Sequence, residues 1–466
     1  MRFALVPMFA LAACSVPDKF LIDGGDNHGD GMGDTTGTGD AVPSGNIVWL
    51  RSMSTFTAYG LAAGSGGLTM VGGFTVPGDL GGGTLSPTGN YDMVVAAFNE
   101  ADATHIYSKK HGDTGSEFGF MDTTDATGSP IVYGLTGLTP YDLGQGSTAS
   151  SGGADGFIGR YGAAAPAWVN RMYGSLDDKF LTSARGAGST IYGAGFFEGT
   201  TTWNSATLTA AGGRDAFLVR MNTFTGAIDL TKQYGGVGRD EVSGLAPVMG
   251  GGVIMAGFFD DTIFTGLQTL TATAGLDLYI AKLDTSGNPV WTIKYAGTGD
   301  DHGGQIATDA AGDIYITGTF TQSITFGATT LTSNGLSDIF VAKLSGTDGS
   351  AIWATSWGGS GDDGVRGTIV DAQGHVFVAG WAVGTIDNTV PTLGGADAVI
   401  TSYAASDGAI RWRHIYSTAG DDRAWPTTFG TTGDYYVAVH LGGAYDFGTP
   451  IIGPANPSSV IMRFAP

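Results

Sequence analysis

The sequence has almost no cysteine and few charged residues. One of its 466 residues is cysteine, Cys14, so an intramolecular disulfide is excluded. Only 14% of the residues are charged, and 43 acidic residues outnumber 21 lysines and arginines, giving a net charge of −22. The basic residues form no patch or stripe, and this surface would repel a phosphate backbone. The composition therefore excludes nucleic acid as a partner and favours divalent cations or basic partners.

Helical periodicity and long apolar segments are also missing. No window beyond the N-terminal segment shows the spacing of about 3.6 residues between apolar side chains that is typical of an amphipathic helix. The only longer apolar stretch, residues 4–13, is too short to cross a bilayer. Glycine, in contrast, occurs 80 times without a collagen period. Glycine at this density among short apolar runs predicts many tight turns between short strands.

Residues 1–13 have the features of an export signal, because Arg2 precedes the short apolar stretch. The sequence Leu-Ala-Ala-Cys at positions 11–14 resembles the lipobox of bacterial lipoproteins. That resemblance implies a lipid on Cys14 and attachment to a membrane through it, with Ser15 favouring the outer membrane or cell surface. An ordinary signal peptide is the alternative. Residues 14–45 are rich in glycine and aspartate, and we expect a disordered tether there.

The rest of the chain, residues 46–466, is built from a repeated unit. A small polar residue precedes a short apolar run seven times, at intervals of 59 to 63 residues. These residues are Asp92, Asp155, Asp215, Asp277, Asp338, Asp397 and Ser459. We interpret the aspartates as turn caps. Seven units with one period predict a repeat architecture in which neighbouring units cover each other.

Each unit predicts four antiparallel strands joined by hairpins. In the fifth unit these are 305–309, 313–320, 338–344 and 351–357, with a loop after the second strand through Phe326. Several strands are apolar on both faces, so each sheet must be covered on both sides. We therefore predict an all-β fold, a seven-bladed β-propeller of four-stranded antiparallel blades. The strand 47–50 is expected to pair with 460–464 and close the last blade, which removes an exposed edge.

Segments 297–320 and 358–381 resemble the bacterial SBBP-type β-propeller repeat. They carry its GDD turn and its glycine-bounded strand pair, as in GTGDDHGG from Gly297 and GGSGDDG from Gly358. The resemblance extends over residues 46–466 and is strongest in the fourth to sixth units. It implies a propeller on exported or surface-attached bacterial proteins, and it supplies no catalytic residue.

The turn before the first strand of most units carries carboxylates. Closure would place these turns as a ring on one face. We expect no cofactor there, because each carboxylate is expected to accept backbone N–H groups in its own turn. The alternative is a ring that binds Ca²⁺ through hard oxygen ligands. The candidate metal ligands are Asp177, Asp178, Asp240, Glu241, Asp300, Asp301, Asp362, Asp363, Asp421 and Asp422.

Departures from the repeat are the better candidates for binding. The aromatic residues concerned are Phe197, Trp203, Phe259, Trp381 and Trp425. If exposed, they would suit a carbohydrate or protein partner, and otherwise they belong to the core between blades. The sequence thus predicts a monomeric, non-enzymatic, lipid-anchored binding or adhesion scaffold with no catalytic residues. A calcium-dependent or quinone-dependent propeller enzyme is the alternative, since turns 347–353 and 407–412 are similar to the quinoprotein dehydrogenase repeat.

Overall fold

The computed structural model describes residues 47–53, 55–137, 140–149, 151–203, 206–387, 390–445, 447, 451–452 and 459–465. All of them belong to a compact unit that spans residues 41–466. The predicted signal peptide, Cys14 and the predicted tether lie outside the described residues. Within these ranges the secondary structure consists of strands and turns, without a helix. No described segment is therefore a helix that could cross a membrane. The predicted all-β class is confirmed.

The strands, numbered β1 to β36 along the chain, fall into four recurring positions. The first position is occupied by β2 (Thr57–Gly64), β8 (Glu117–Thr124), β13 (Asp178–Arg185), β19 (Asp240–Pro247), β25 (Asp301–Thr308), β29 (Gly364–Val370) and β33 (Arg423–Phe429). The second is occupied by β3 (Gly67–Phe74), β9 (Pro130–Thr136), β14 (Thr190–Phe197), β20 (Val253–Phe259), β26 (Ile314–Phe326), β30 (Val376–Val383) and β34 (Tyr435–His440).

The third position contains the apolar runs that define the sequence period. Its strands are β6 (Asp92–Phe98), β10 (Asp155–Arg160), β17 (Asp215–Asn222), β23 (Asp277–Leu283), β27 (Thr329–Leu344), β31 (Ala396–Tyr403) and β36 (Ser459–Phe464). The fourth position contains β7 (His105–His111), β11 (Trp168–Arg171), β18 (Ile228–Tyr234), β24 (Pro289–Gly297), β28 (Ala351–Trp357), β32 (Ile410–Tyr416) and β1 (Ile47–Ser52).

The remaining strands are short and form side ribbons or extensions. They are β4 (Gly78–Asp79), β5 (Thr84–Leu85), β12 (Tyr173–Gly174), β15 (Thr200–Trp203), β16 (Ala206–Thr209), β21 (Thr262–Phe264), β22 (Thr269–Thr271) and β35 (Ile451–Ile452). In the fifth unit the predicted loop after the second strand is wrong, because β26 and β27 continue past the sheet as a paired hairpin. In that segment threonines alternate with apolar residues, which suits a paired strand that is covered on one face.

Within each unit the first strand pairs with the second, the second with the third and the third with the fourth, always antiparallel. The strand β1 takes the fourth position beside β36, with Trp49 opposite Arg463 and Leu50 opposite Met462. A strand from the beginning of the described chain thus completes the sheet formed by its end. This pairing is the one the sequence predicted.

The sheets pack face to face with their first strands innermost. Each first strand lies against the first strands of the two neighbouring sheets, and β33 lies against β2 as it does against β29. Third strands are buried along nearly their whole length, as in β6, where every residue from Asp92 to Phe98 is buried. Both faces of such a strand contact a neighbouring sheet, which explains why its sequence is apolar without alternation. Radially packed four-stranded sheets are the arrangement of a β-propeller.

Candidate functional site

The aspartates that begin the third strands cap turns. In six units the carboxylate accepts a hydrogen bond from the backbone N–H four residues earlier. Asp277, for example, accepts from Thr273 N at 2.6 Å and is paired with Lys294 Nζ at 2.9 Å. The interpretation of these aspartates as turn caps is confirmed.

The acidic turns connect neighbouring sheets through paired backbone contacts. In six junctions the N–H at the start of the first strand donates to the carbonyl just before the preceding third strand, as Asp301 donates to Leu276. A second hydrogen bond joins the same two segments, since Leu276 N donates to Oδ1 of Asp300 at 3.0 Å. Asp177 and Asp421 do the same with the N–H groups of Ala154 and Ala396. We call this arrangement the inter-sheet clasp.

Two further acidic residues of these turns, Asp362 and Glu241, also have partners nearby. Asp362 Oδ1 accepts from Ser337 Oγ at 3.4 Å. Glu241, which is buried, is paired with Arg214 at 2.7 Å and with Arg239 at 3.5 Å. These carboxylate oxygens are therefore committed to the junctions between sheets.

In six of these turns, the acidic residue whose backbone N–H donates across the clasp has a buried carboxylate. Burial raises the pKa of Glu117, Asp240 and Asp301 to about 8. It raises the pKa of Asp178 and Asp363 to about 7, and that of Asp422 also lies above its usual range. Each faces the third-strand aspartate of the preceding sheet, and this like charge raises its pKa further.

Calcium requires about six to eight oxygen ligands. No group of three or more His, Cys, Asp or Glu in the described ranges is arranged to hold a metal ion. At the junctions two buried carboxylates meet, and several of their oxygens accept backbone N–H groups, as Asp363 does from Gly359 and Val383 at 2.7 Å each. Asp363 thus follows the local interpretation of the acidic turns, whereas the carboxylates of Asp178 and Asp301 are buried without a hydrogen-bond partner among the described residues.

Three of the five predicted binding aromatics lie in the core. Phe197 and Phe259 are fully buried and Trp203 is 1% exposed. Phe197 and Trp203 pack in one apolar cluster, and Phe259 packs in the next one. As placed, they cannot contact a ligand, because neighbouring sheets cover them on both sides. Trp381 and Trp425 remain partly exposed.

Each first strand contains a β-bulge, and the bulges determine which side chains face the axis around which the sheets are packed. A bulge leaves residues unpaired and re-aims their side chains. The unpaired residues are Tyr59, Met121 with Asp122, Leu181, Ser243, Gly304 with Gln305, Arg366, and Trp425 with Pro426. The bulge recurs in every unit, so it belongs to the repeat, whereas the residues it presents differ from unit to unit.

These first strands surround a cavity of about 400 Å³, which we call the central cavity. Tyr59, Asp122 and Arg366 line it. The guanidinium of Arg366 lies over the ring of Trp425, 5.7 Å from its centroid, and the rings of Tyr59 and Trp425 are 5.2 Å apart. One side of the cavity therefore presents the Tyr59 ring beside a cation, and Trp425 contacts both of them.

Asp122 occupies another part of the cavity wall. Its Oδ2 accepts hydrogen bonds from Tyr133 Oη at 2.7 Å, Ser183 N at 3.1 Å and Thr182 Oγ1 at 3.2 Å. Burial raises the pKa of Asp122 to about 6, against the opposing effect of these hydrogen bonds. Asp122 is thus fixed in place by neighbouring strands and is partly protonated near neutral pH.

Near the ends of the second strands, aromatic rings lie beside cationic side chains. Arg214 lies over Phe196 at 4.3 Å, and Arg423 lies over Trp381 at 5.0 Å. His302 stacks on Phe258 with 4.8 Å between ring centroids. Gly364 leaves room for the Trp381 ring, because a Cβ there would overlap it. Arg214 and Arg423 are also ion-paired with carboxylates, so these aromatic contacts belong to the junctions between sheets.

The sequence interpretation missed Tyr59, Asp122 and Arg366. They are presented by bulges, whose positions cannot be read from the alternation of apolar residues. Phe196 and Phe258 each directly precede a predicted binding residue, and the alternation of side chains along a strand places them on the opposite face from Phe197 and Phe259. Comparing the same strand position across all units would have identified Arg366 as a departure from the repeat.

No family model and no curated protein sequence matches the chain. Among solved structures, it is similar to the quinohemoprotein alcohol dehydrogenase from Comamonas testosteroni, with 10% identity, 90% of this chain and 76% of that chain covered, and a TM-score of 0.42. The Dos1 propeller has 8% identity, with 90% and 95% covered and a TM-score of 0.42. BamB from Moraxella catarrhalis has 11% identity, with 90% and 99% covered and a TM-score of 0.39. At these values the similarities carry no argument about function, and the β-propeller assignment stands on the strand pairing itself.

Proposed function

We propose that this chain is a non-enzymatic binding scaffold, a closed seven-bladed β-propeller of the SBBP-repeat type whose axis presents a ligand site. Two contacts support closure: β1 completes the sheet of β36, and β33 lies against β2. Radial repetition leaves only short edge strands, which suits a protein exposed outside the cell. Such a rigid disc holds its loops and axial side chains in fixed positions.

The observation that carries the binding function is the variation at the bulges. A residue that served only the shape of the sheet would be similar in all units, yet the bulges present tyrosine, aspartate, leucine, serine, glutamine, arginine and tryptophan. Arg366, Tyr59 and Trp425 are adjacent there, and aromatic and arginine side chains are enriched where proteins bind partners. The partner is a protein or a carbohydrate.

The proposed location is the outer membrane or cell surface, with a lipid on Cys14 as the anchor. Support comes from the lipobox-like sequence at positions 11–14 and the acidic, glycine-rich segment that follows it. In cells expressing the full chain, the protein is expected in the membrane fraction, and Cys14→Ser should release it into the soluble exported fraction. Equal membrane association of the two forms would contradict a lipid anchor.

Binding is tested with the purified chain on an array of neutral and acidic glycans and on immobilised envelope proteins. Saturable binding to one class, reduced at least tenfold by Trp425→Ala, is the expected result. The melting temperature of the variant is compared with that of the wild type, because a folded variant is needed. Absence of binding to every probe, or turnover of alcohols after reconstitution with a quinone cofactor, would overturn the scaffold proposal.

A further inference from the structure

The central cavity differs in charge from the rest of the protein. Its charged lining residues are Arg185, Arg366 and Asp122, whereas the whole chain has a net charge of −22. A volume of about 400 Å³ lies within the range of roughly 300–1,000 Å³ that small-molecule sites occupy. A net positive cavity in an acidic protein selects for an anion.

Arg366 has a cation–π contact and no charged partner. It forms no ion pair and no hydrogen bond with the part of the chain that the structure describes, although it lies over the Trp425 ring. Arg366 lines the cavity and its side chain is exposed there. A guanidinium whose N–H donors are unused is complementary to a carboxylate, which can accept two of them at once.

Next to Arg366 the cavity wall contains the ring of Tyr59. That ring is held in place by Trp425, Phe120 and His440, whose ring centroids lie 5.2 to 6.4 Å from its own. An aromatic side chain in the wall can pack against a ring in the ligand. Arg366 and Tyr59 both contact Trp425, so a carboxylate bound to Arg366 would lie near the Tyr59 ring.

The remaining wall is rich in hydroxyl groups and carries one amide. These groups belong to Thr123, Ser183, Gln305, Thr308, Thr427 and Thr428. Asp122 adds a carboxyl group. Thr123, Thr308 and Thr428 donate to backbone carbonyls, and their oxygens can still accept hydrogen bonds from a ligand that carries several hydroxyls.

We propose that the central cavity binds a sugar acid, with Arg366 pairing with its carboxylate, Tyr59 packing against its ring, and the hydroxyl-rich wall bonding its hydroxyls. The inference rests on the proposed binding function and narrows it to one ligand class. The ligand is a single uronate residue, either free or at the end of a glycan.

The test is calorimetric titration of the full chain with D-glucuronate, D-glucose and benzoate. Glucuronate should bind at least tenfold more tightly than glucose, which has the hydroxyls without the carboxylate. It should also bind more tightly than benzoate, which has the carboxylate and a ring without the hydroxyls. Equal affinity for glucuronate and glucose, or no heat with millimolar glucuronate, would overturn the proposal, and stronger binding of benzoate would replace the sugar acid by an aromatic acid.

Two variants locate the site. Arg366→Gln should weaken glucuronate binding at least tenfold and leave glucose binding unchanged, and Arg366→Lys should recover part of the loss because it restores the charge without the planar fork. Arg220→Gln is the matched control, since Arg220 is paired with Asp229 on the outer strands. Unchanged glucuronate affinity in a folded Arg366→Gln protein would remove the cavity as the site.

The two proposals fail in different ways. If the glycan and protein array shows binding that Arg366→Gln does not alter, and glucuronate does not bind, the scaffold stands and the sugar-acid site does not. If the array shows no binding to any probe, the scaffold function fails, whatever the folding state of the variants.

Discussion

Asp338 and Asp363, which belong to neighbouring sheets, both place their carboxylates against the Cα of Gly358. A Cβ at this position would lie 2.5 Å from Asp338 Cγ and closer still to Asp363 Oδ2. The two carboxylates cannot withdraw, because Asp338 accepts from Asn334 N and Asp363 accepts from Gly359 N. The glycine therefore allows two like charges of adjacent sheets to meet in the core.

Gly358→Ala should destabilise the protein by about 1–3 kcal/mol, the usual range for an overpacked core. Gly162→Ala is the control, because a Cβ there meets no atom within 4 Å. The free energies of unfolding are measured by denaturant titration. Similar values for the two variants would mean that the carboxylates can separate without loss.

Because these carboxyls are buried, we expect the free energy of unfolding to fall as pH rises. The pKa of Asp301 is about 8 in the folded protein and about 3.9 in an unfolded chain. The folded state thus holds an extra proton between these values, and the stability it contributes is complete below about pH 4 and lost as pH rises through about 8. Asp301→Asn keeps the shape of the protonated acid and cannot ionise.

We expect Asp301→Asn to match the wild type at pH 4 and to exceed its stability at pH 9 by a few kcal/mol, on the order set by about 1.4 kcal/mol per pKa unit. Asp407→Asn, in an exposed hairpin turn, serves as the control. Thermal and denaturant unfolding from pH 4 to 9 provide the measurement. Parallel curves for Asp301→Asn and the wild type would show that the buried pair is not protonated.

Closure of the last sheet is tested at Trp49. Its ring is 6% exposed, lies 5.7 Å from Tyr436, and its Nε1 donates to Glu100 O at 3.1 Å. Trp49→Ala should cost about 3–5 kcal/mol, as for other buried tryptophans. Val48→Ala on the same strand is the control, because Val48 is 46% exposed. Equal unfolding midpoints for the two variants would contradict the pairing of β1 with β36.

Calcium should leave the melting temperature unchanged. Asp177, Asp300 and Asp421 already accept backbone N–H groups across the inter-sheet clasp. Binding a cation there would break these contacts, so no net stabilisation is expected. Melting curves with millimolar CaCl₂, MgCl₂ and EDTA provide the comparison. A rise of several degrees with calcium alone would restore the metal-ring interpretation.

The clasp itself can be tested at Asp300. Asp300→Ala removes one hydrogen bond to Leu276 N and should destabilise the protein by about 0.5–1.5 kcal/mol, the net contribution of a typical hydrogen bond. Asp300→Asn retains an acceptor oxygen and should recover most of the loss. If both variants unfold like the wild type, Asp300 does not hold the sheets together.

Much of the fold could be predicted because the apolar pattern of each repeat indicates which strands are buried. A third strand such as Asp92–Phe98 is apolar on both faces only if two neighbours cover it, and the structure has this arrangement. The capping aspartates were also predictable, since an aspartate before a strand has backbone donors within four residues. The site was predicted less well. Phe197 and Trp203 were chosen as aromatic departures from the repeat, but aromaticity does not distinguish a core ring from a binding ring.

The sequence by itself determined the strand content, the period and the pairing of residues 47–52 with 459–464, because these follow from local alternation and from counting units. Only the tertiary structure decided which side chains meet along the axis. Tyr59, Arg366 and Trp425 are widely separated in sequence and come together because bulges turn them inward and the sheets pack radially. The meeting of Asp338 with Asp363 has the same origin, since it depends on the distance between adjacent sheets.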